Sequence, residues 1–485
     1  MIPVGPTPPG SPAAPLRLRR LPDRVAAERA IDVAERFRDL PGLALLESAR
    51  PGRNARWTYL TADPVAVLTA PAAGPDPFAV ARRLLRRLEA THVVPADAPP
   101  FVGGLVGFLG YDLGLAMEHL PSIAGDDQGL PPLRLALHDW VVAWDRRTGH
   151  AWLGGRAVDG DGRRLARRLD DVHARLAGSP STRRVGTVGG ASGVGADATP
   201  LLFRSSLDRA AYERGVAVVR EHIARGDIYQ ANLTRRLETP FDEDPWPRYR
   251  RLRTGDPSLF SAFLDLGASP ETGQPRALLS ASPEPFLSLD AEGRVATDPI
   301  KGTRPRGRDR TEDRALAAEL LCSAKDRAEN VMIVDVLRND LGRVCEPGSV
   351  RVPRLCRLER TAAVQHLVST VTGRLRPGRD PFHLLAASFP GGSITGAPKI
   401  RAMEILDELE SVRRGPYTGA LGWIGPDGAM GTSILIRTFV ADGRRLTLHV
   451  GGGITWGSDP AAEWEETVAK ARGPLGALGG EEVAA

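Results

Sequence analysis

Lysine is scarce in this chain of 485 residues. It stands only at 301, 325, 399 and 470, and arginine supplies the rest of the 64 basic side chains. Where any cation serves, the chain uses arginine. The four lysines are therefore candidates for roles a guanidinium cannot fill, since it does not deprotonate into a nucleophile and its planar fork does not fit where a compact ammonium does. Chance survival is the competing explanation, yet three of the four lie inside Gly- or Glu-rich motifs. Lys301 stands in Asp298-Pro-Ile-Lys-Gly-Thr-Arg304-Pro-Arg306-Gly307. The two arginines are expected to lower its pKa and raise its free-amine fraction, which is nucleophile chemistry. A merely basic loop is the alternative.

Carboxylates recur on two expected helices. The segment from Ser323 to Gly342 opens with a Ser-x-x-Asp cap and closes at glycine. Within it Glu329 shares a face with Met332, Ile333 and Val336. A carboxylate on an apolar face is costly unless it is paired or ligates a metal; otherwise it faces water near the first turn, where the helix dipole favours it. The second helix lies in the segment Ser458 to Lys470, with Asp459 as cap and Pro460 at its first position. Glu463, Glu466 and Lys470 fall on one face. They read either as an exposed Glu–Lys pair or as a Mg²⁺ carboxylate beside an anion-binding ammonium. Zinc has no support, for there is no His-Glu-x-x-His and no Cys/His cluster. Two Gly-rich segments, Phe389 to Lys399 and the Gly451-Gly452-Gly453 turn expected after a strand ending at Val450, can bring backbone close to an anion. With Arg437 and Lys470 they imply a small polyanionic substrate.

Residues 1–17 are a Pro-rich tail, 18–177 mix helix and strand, 178–200 form a Gly/Ser-rich linker, and 201–475 carry the motifs. Helices are expected at Arg24–Phe37, Pro77–Ala90 and Leu207–Ile223. Strands are expected at Leu43–Leu46, Ile228–Leu237, Ala277–Ser280, Phe286–Leu289, Gly419–Trp423, Ser433–Val440 and Arg445–Val450. No regular βαβ rhythm appears, so the fold class is α+β with large, mostly antiparallel sheets. No apolar run is long enough to span a bilayer and no secretory leader is visible. Three cysteines without metal-like spacing fit a reducing cytoplasm. Aromatics at 5% and a dispersed net charge of +5 speak against nucleic acid.

Taken together, these motifs resemble the chorismate-utilising enzymes: anthranilate synthase large subunits, aminodeoxychorismate synthase component I, and isochorismate and salicylate synthases. The resemblance covers roughly residues 200–475 and is loose over 18–175. It implies an anthranilate synthase component I-like α/β sandwich with two large sheets and a Mg²⁺-dependent chorismate site. By position it places the metal on Glu329 and Glu466. The substrate carboxylates match Tyr417, Arg437, Gly451, Gly452, Gly453 and Lys470, further ring contacts match His366 and Thr395, and the general acid matches Glu284. Water-adding members carry lysine where this chain has Gln230. Anthranilate synthases carry alanine where it has Lys301; aminodeoxychorismate synthases carry lysine there, which is thought to attack chorismate. The resemblance thus implies component I of an aminodeoxychorismate synthase in 4-aminobenzoate and folate synthesis, with anthranilate synthesis as the alternative. No Gly-x-Cys-x-Gly nucleophile is present, so a separate glutamine amidotransferase subunit is expected to supply ammonia. Leu45-Leu46-Glu47-Ser48 resembles the segment that holds feedback tryptophan in anthranilate synthases, which makes Ser48 a possible regulatory contact.

Overall fold

The structure is a computed structural model. It describes residues 16–70, 76–88, 95, 97–118, 120, 123–178, 200–361 and 364–483. The expected linker, apart from its two end residues, and the first fifteen residues of the expected tail lie outside these. Leu16 and Arg17, expected in the tail, begin a strand that ends at Arg20.

Period-two burial builds the sheets. In the strand Gln230–Pro240, Ala231, Leu233 and Leu237 enter apolar clusters, while Gln230, Asn232 and Thr234 on the other face are buried too. A strand covered on both faces belongs inside a sheet. It pairs with Arg445–Ile454 on one side and Leu201–Ser205 on the other. Among the described residues the first sheet has thirteen strands, running from Leu16–Arg20 through Ala44–Glu47 and Phe260–Ala268 to Arg445–Ile454 and Gln230–Pro240. The second has ten described strands, from Ile300–Pro305 through Val364–Arg374 and Met430–Ile434 to Gly104–Leu109 and Ala66–Ala70. Among the described ladders one pairing, Gly480–Glu482 with Leu201–Ser205, is parallel; the others are antiparallel.

Strands from before and after the expected linker interleave. Ala44–Glu47 pairs with Phe260–Ala268, and Gly104–Leu109 pairs with Ala420–Ile424. Between the sheets lies a layer that includes Val106, Phe108, Leu264, Leu278, Leu421 and Val440. Helices Gly162–Ala177, Pro245–Gly255 and Pro460–Leu478 bury their apolar faces on the first sheet. Helices Ala324–Gly342 and Pro381–Ser388 cover the second. No helix among the described residues is long and apolar enough to cross a membrane.

Three local expectations change. The helix expected over Arg24–Phe37 is broken into Asp23–Ala27, Ala30–Ala34 and a 3₁₀ turn, with Glu28 and Arg29 extended. The break lets Val25 and Ile31, six residues apart and so off one helical face, both reach the core. Ser433–Val440 is two strands: Met430–Ile434 belongs to the second sheet and Thr438–Ala441 to the first. The chain crosses between sheets at Arg437, whose φ is +48°. Gly451–Gly453 is not a turn; it lies inside the strand Arg445–Ile454, opposite Thr234, Leu233 and Asn232.

Candidate active site

Lys301 stands on the end strand Ile300–Pro305 of the second sheet. Gly302 beside it has φ +74°, and a Cβ there would meet the Asp326 side chain at 2.9 Å. Glycine therefore lets the first turn of helix Ala324–Gly342 close over the strand. The Lys301 Nζ donates to the Ser393 carbonyl at 3.1 Å. The Ser393 hydroxyl in turn donates to the Glu284 carboxylate. Glu284 is 7% exposed. Burial pushes its carboxyl up to about 7, against the pull of Lys301, the Ile300 backbone and Ser393. It thus keeps a proton to donate near neutrality.

Desolvation lowers the Lys301 pKa, against the facing carboxylates of Glu329, Glu284 and Glu466 and with a smaller contribution from Lys470. The expected direction holds, but its expected cause is overturned. Arg304 is paired with Glu319 at 2.7 Å and Asp326 at 3.1 Å, and Arg306 with Asp313 at 2.6 Å. Both arginines are neutralised by carboxylates of their own.

Glu329 and Glu466 come from separate helices and face the same lysine. Burial raises the Glu329 carboxyl, opposed by Lys301 and Lys325. Burial also pushes Glu466 up, but Lys470, Lys325 and Lys301 together outweigh it and hold the carboxyl below its ordinary value. Lys470 bonds Glu466 Oε1 at 2.6 Å and the Gly451 carbonyl at 2.8 Å. One turn before Glu466, Glu463 is 5% exposed and accepts the Ser458 hydroxyl at 2.6 Å. The glycine strand is the floor under these carboxylates. A Cβ on Gly452 would lie 2.9 Å from Glu463 Oε2 and 3.7 Å from Glu466 Oε1, and one on Gly453 would lie 2.3 Å from the Gln230 amide nitrogen.

No three His, Cys, Asp or Glu side chains among the described residues converge as a metal cage on their own. The groups present still fit Mg²⁺. The donors are all carboxylate oxygens, they lie over glycine backbone that leaves room, and Mg²⁺ takes one or two carboxylates and completes its shell with water and substrate.

The remaining expected residues are distributed around this centre. Thr395 is fully buried, and its hydroxyl bonds the Gly391 carbonyl at 3.0 Å within the turn that carries Ser393. Tyr417 is buried and stacked on His449, with ring centroids 4.9 Å apart. Burial raises the nearby Tyr212 phenol, with further contributions from Glu463, Tyr417 and Glu466. His366 pairs across the ladder with Thr303, two residues from Lys301, and its Nδ1 lies 2.9 Å from the Thr303 hydroxyl. Desolvation, with Arg50 and Arg437, lowers its pKa to about 4, so it is a neutral imidazole at pH 7. Arg437 Nη1 rests 3.6 Å from Asp256. Ser48 is elsewhere. Its hydroxyl bonds the Leu259 carbonyl at 2.8 Å, and it lines a cavity of about 1150 Å³ between the sheets with Trp57, Tyr59, Phe260 and Trp423.

Within Phe389–Lys399, the Lys399 ammonium is not free for an anion. Lys399 is spent on a buried pair with Asp340 at 2.9 Å and on the Ser388 carbonyl at 3.0 Å. A Cβ on Gly392 would strike Val336 at 2.6 Å, so the loop lies flat on helix Ala324–Gly342 and serves as a brace. Sequence reasoning missed Ser393 as the link between Lys301 and Glu284. It placed Glu463 on the right helix face without giving it a role.

A family described as chorismate binding enzyme matches residues 44–476. The chain belongs to that family. The match extends well before residue 200, into the strands that the N-terminal half gives to both sheets. Anthranilate synthase component 1 of Streptomyces coelicolor is 42% identical over 455 residues, covering 91% of this chain and 84% of that protein. Aminodeoxychorismate synthase component 1 of Escherichia coli is 40% identical over 396 residues, covering 81% of each. Anthranilate synthase component I from Streptococcus pneumoniae superposes with a TM-score of 0.75 at 30% identity, covering 88% of this chain and 93% of that one. For a chorismate-binding enzyme, the clustering of Glu284, Lys301, Glu329, Glu466 and Lys470 has a direct chemical use.

Proposed function

We propose that this chain is component I of an aminodeoxychorismate synthase, converting chorismate and ammonia to 4-amino-4-deoxychorismate and water. The observation that carries the reading is the desolvated Lys301 amine, joined through Ser393 to a Glu284 carboxyl that keeps its proton near neutrality. Lys301 Nζ, once deprotonated, attacks C2 of chorismate. The ring double bond shifts, and the C4 hydroxyl leaves as water with the proton of Glu284. Ammonia then attacks C4, the double bond shifts back, Lys301 departs as the amine, and the proton shed by the new amino group returns to Glu284. Double displacement returns nitrogen to C4 rather than C2. Lys470 and the backbone N–H of Gly453, which points away from the ladder partner Asn232, are available to substrate carboxylates, as is Arg437 once it leaves Asp256. Glu329 and Glu466 would hold Mg²⁺, which when bound supplies positive charge for a substrate carboxylate. Gln230 has no basic nitrogen to activate water, which supports amination over hydration.

Anthranilate synthesis is the second reading, favoured by relatives of that name at the same level of identity. Incubation with chorismate, Mg²⁺ and ammonium, with and without a lyase that forms 4-aminobenzoate, decides between them. The proposal expects 4-aminobenzoate only when the lyase is added. Fluorescent 2-aminobenzoate from the chain alone would assign it to anthranilate synthesis. Ammonia is proposed to come from a separate glutamine amidotransferase subunit.

A further inference from the structure

Three of the four lysines are accounted for by their contacts. Lys301 lies beside Glu284, Lys470 bonds Glu466 and Gly451, and Lys399 pairs with Asp340. Lys325 remains. Its side chain is 55% exposed, and its Nζ stands 4.0 Å from Glu329 Oε1 on its own helix and 4.0 Å from Glu463 Oε1 on the helix Pro460–Leu478. Its charge also reaches Glu466. One ammonium therefore faces three carboxylates from two helices. The neighbouring Asp326 does not compete for it, because Arg304 holds that carboxylate at 3.1 Å.

We propose that Lys325 is a tethered counter-cation of the Glu329 and Glu463 carboxylates, and that a divalent cation displaces it on binding. The inference rests on the reading that these helices hold Mg²⁺. Several features make the ammonium displaceable. At 4.0 Å it makes charge contact without a close hydrogen bond, in contrast to the 2.6 Å contact of Lys470 with Glu466. Lysine N-terminal to glutamate at i,i+4 is the weaker orientation of that pair. The flexible four-carbon stem lets the charge swing into water, at little cost for an exposed ion. Arginine, the residue this chain prefers, would grip a carboxylate with a bidentate fork and resist displacement. Lys325 thus keeps the carboxylates from repelling one another before the metal arrives and leaves without blocking it.

Mn²⁺ alone is the probe. Its affinity is read from the electron paramagnetic resonance signal of the free ion and from the metal-induced rise in unfolding midpoint. The full-length chain is compared with Lys325→Gln, Lys325→Arg and Glu329→Gln. Removing the competing charge in Lys325→Gln is expected to tighten Mn²⁺ by about three- to tenfold and enlarge the midpoint rise, while Lys325→Arg weakens binding. If Glu329→Gln loses Mn²⁺ but Lys325→Gln binds as the unmodified chain does, or more weakly, the counter-cation proposal is overturned and the metal reading stands. If the unmodified chain does not bind Mn²⁺, or Glu329→Gln binds it undiminished, the metal reading and this proposal fall together.

Discussion

At the scale of residues, Lys301 and Glu284 make opposite demands of the proton. Lys301 must lose one to attack and Glu284 must keep one to give. Lys301→Ala is expected to bind chorismate yet lose 4-amino-4-deoxychorismate formation by orders of magnitude, because ground-state contacts do not replace a covalent step. Lys301→Arg is expected to be nearly as damaged, since a guanidinium does not deprotonate near neutrality. Both are read by product chromatography beside chorismate binding. For Glu284, burial places the folded carboxyl at about 7, above its ordinary 4.5. The sign follows from linkage. The group's stabilising contribution is whole below pH 4.5 and is lost as pH rises through 7, when a buried charge must form. Glu284→Gln is therefore expected to be inactive yet more stable than the unmodified chain at pH 8, by up to about 3 kcal/mol, with no difference near pH 4. Denaturant melts at the two pH values measure it. Equal stability at both would show that Glu284 titrates as an ordinary carboxylate.

At the scale of elements, the glycine strand and the brace loop set the geometry. Gly452→Ala would bring a Cβ to 2.9 Å from Glu463 Oε2. Mg²⁺ dependence is expected to shift to higher concentration by about tenfold with the unfolding midpoint little changed, as read by metal titration of turnover. Lys399→Met leaves Asp340 buried without its cation and is expected to cost about 3–5 kcal/mol in a denaturant melt. Much of this was legible in the sequence. Helical spacing around Glu329 and the Asp459-Pro460 cap placed both carboxylate helices, and period-two alternation placed a strand at Ile228–Leu237, which the structure has at Gln230–Pro240. What was not legible depends on partners distant in sequence. Local charge spacing points to Arg304 and Arg306 as the neighbours that tune Lys301, but Glu319, Asp326 and Asp313 claim them. Gly451–Gly453 reads as a turn by composition, yet it is strand because the helix carrying Glu463 and Glu466 needs a floor without side chains. Ser393 offers no spacing signal, because it joins residues 284 and 301 across the fold.

At the scale of the whole molecule, the candidate site draws on strands and helices after residue 200, but the sheets that hold them are completed by strands from before residue 178, Ala44–Glu47 on Phe260–Ala268 and Gly104–Leu109 on Ala420–Ile424. Expression of residues 201–485 alone is expected to give an aggregating chain, because the edges of Phe260–Ala268 and Ala420–Ile424 lose their partners. Recovery of a soluble, chorismate-binding fragment would contradict this. The same architecture contains no Gly-x-Cys-x-Gly nucleophile, so the purified chain is expected to turn over with ammonium and not with glutamine. Lys301 is expected to become covalently attached to the substrate, and withholding ammonia exposes that step. After incubation with chorismate and Mg²⁺ alone, peptide mass spectrometry is expected to find Lys301 heavier by chorismate less one water, with no such gain in Lys301→Arg. Undiminished formation of 4-amino-4-deoxychorismate by Lys301→Arg, with no adduct on Lys301 in the unmodified chain, would contradict the account.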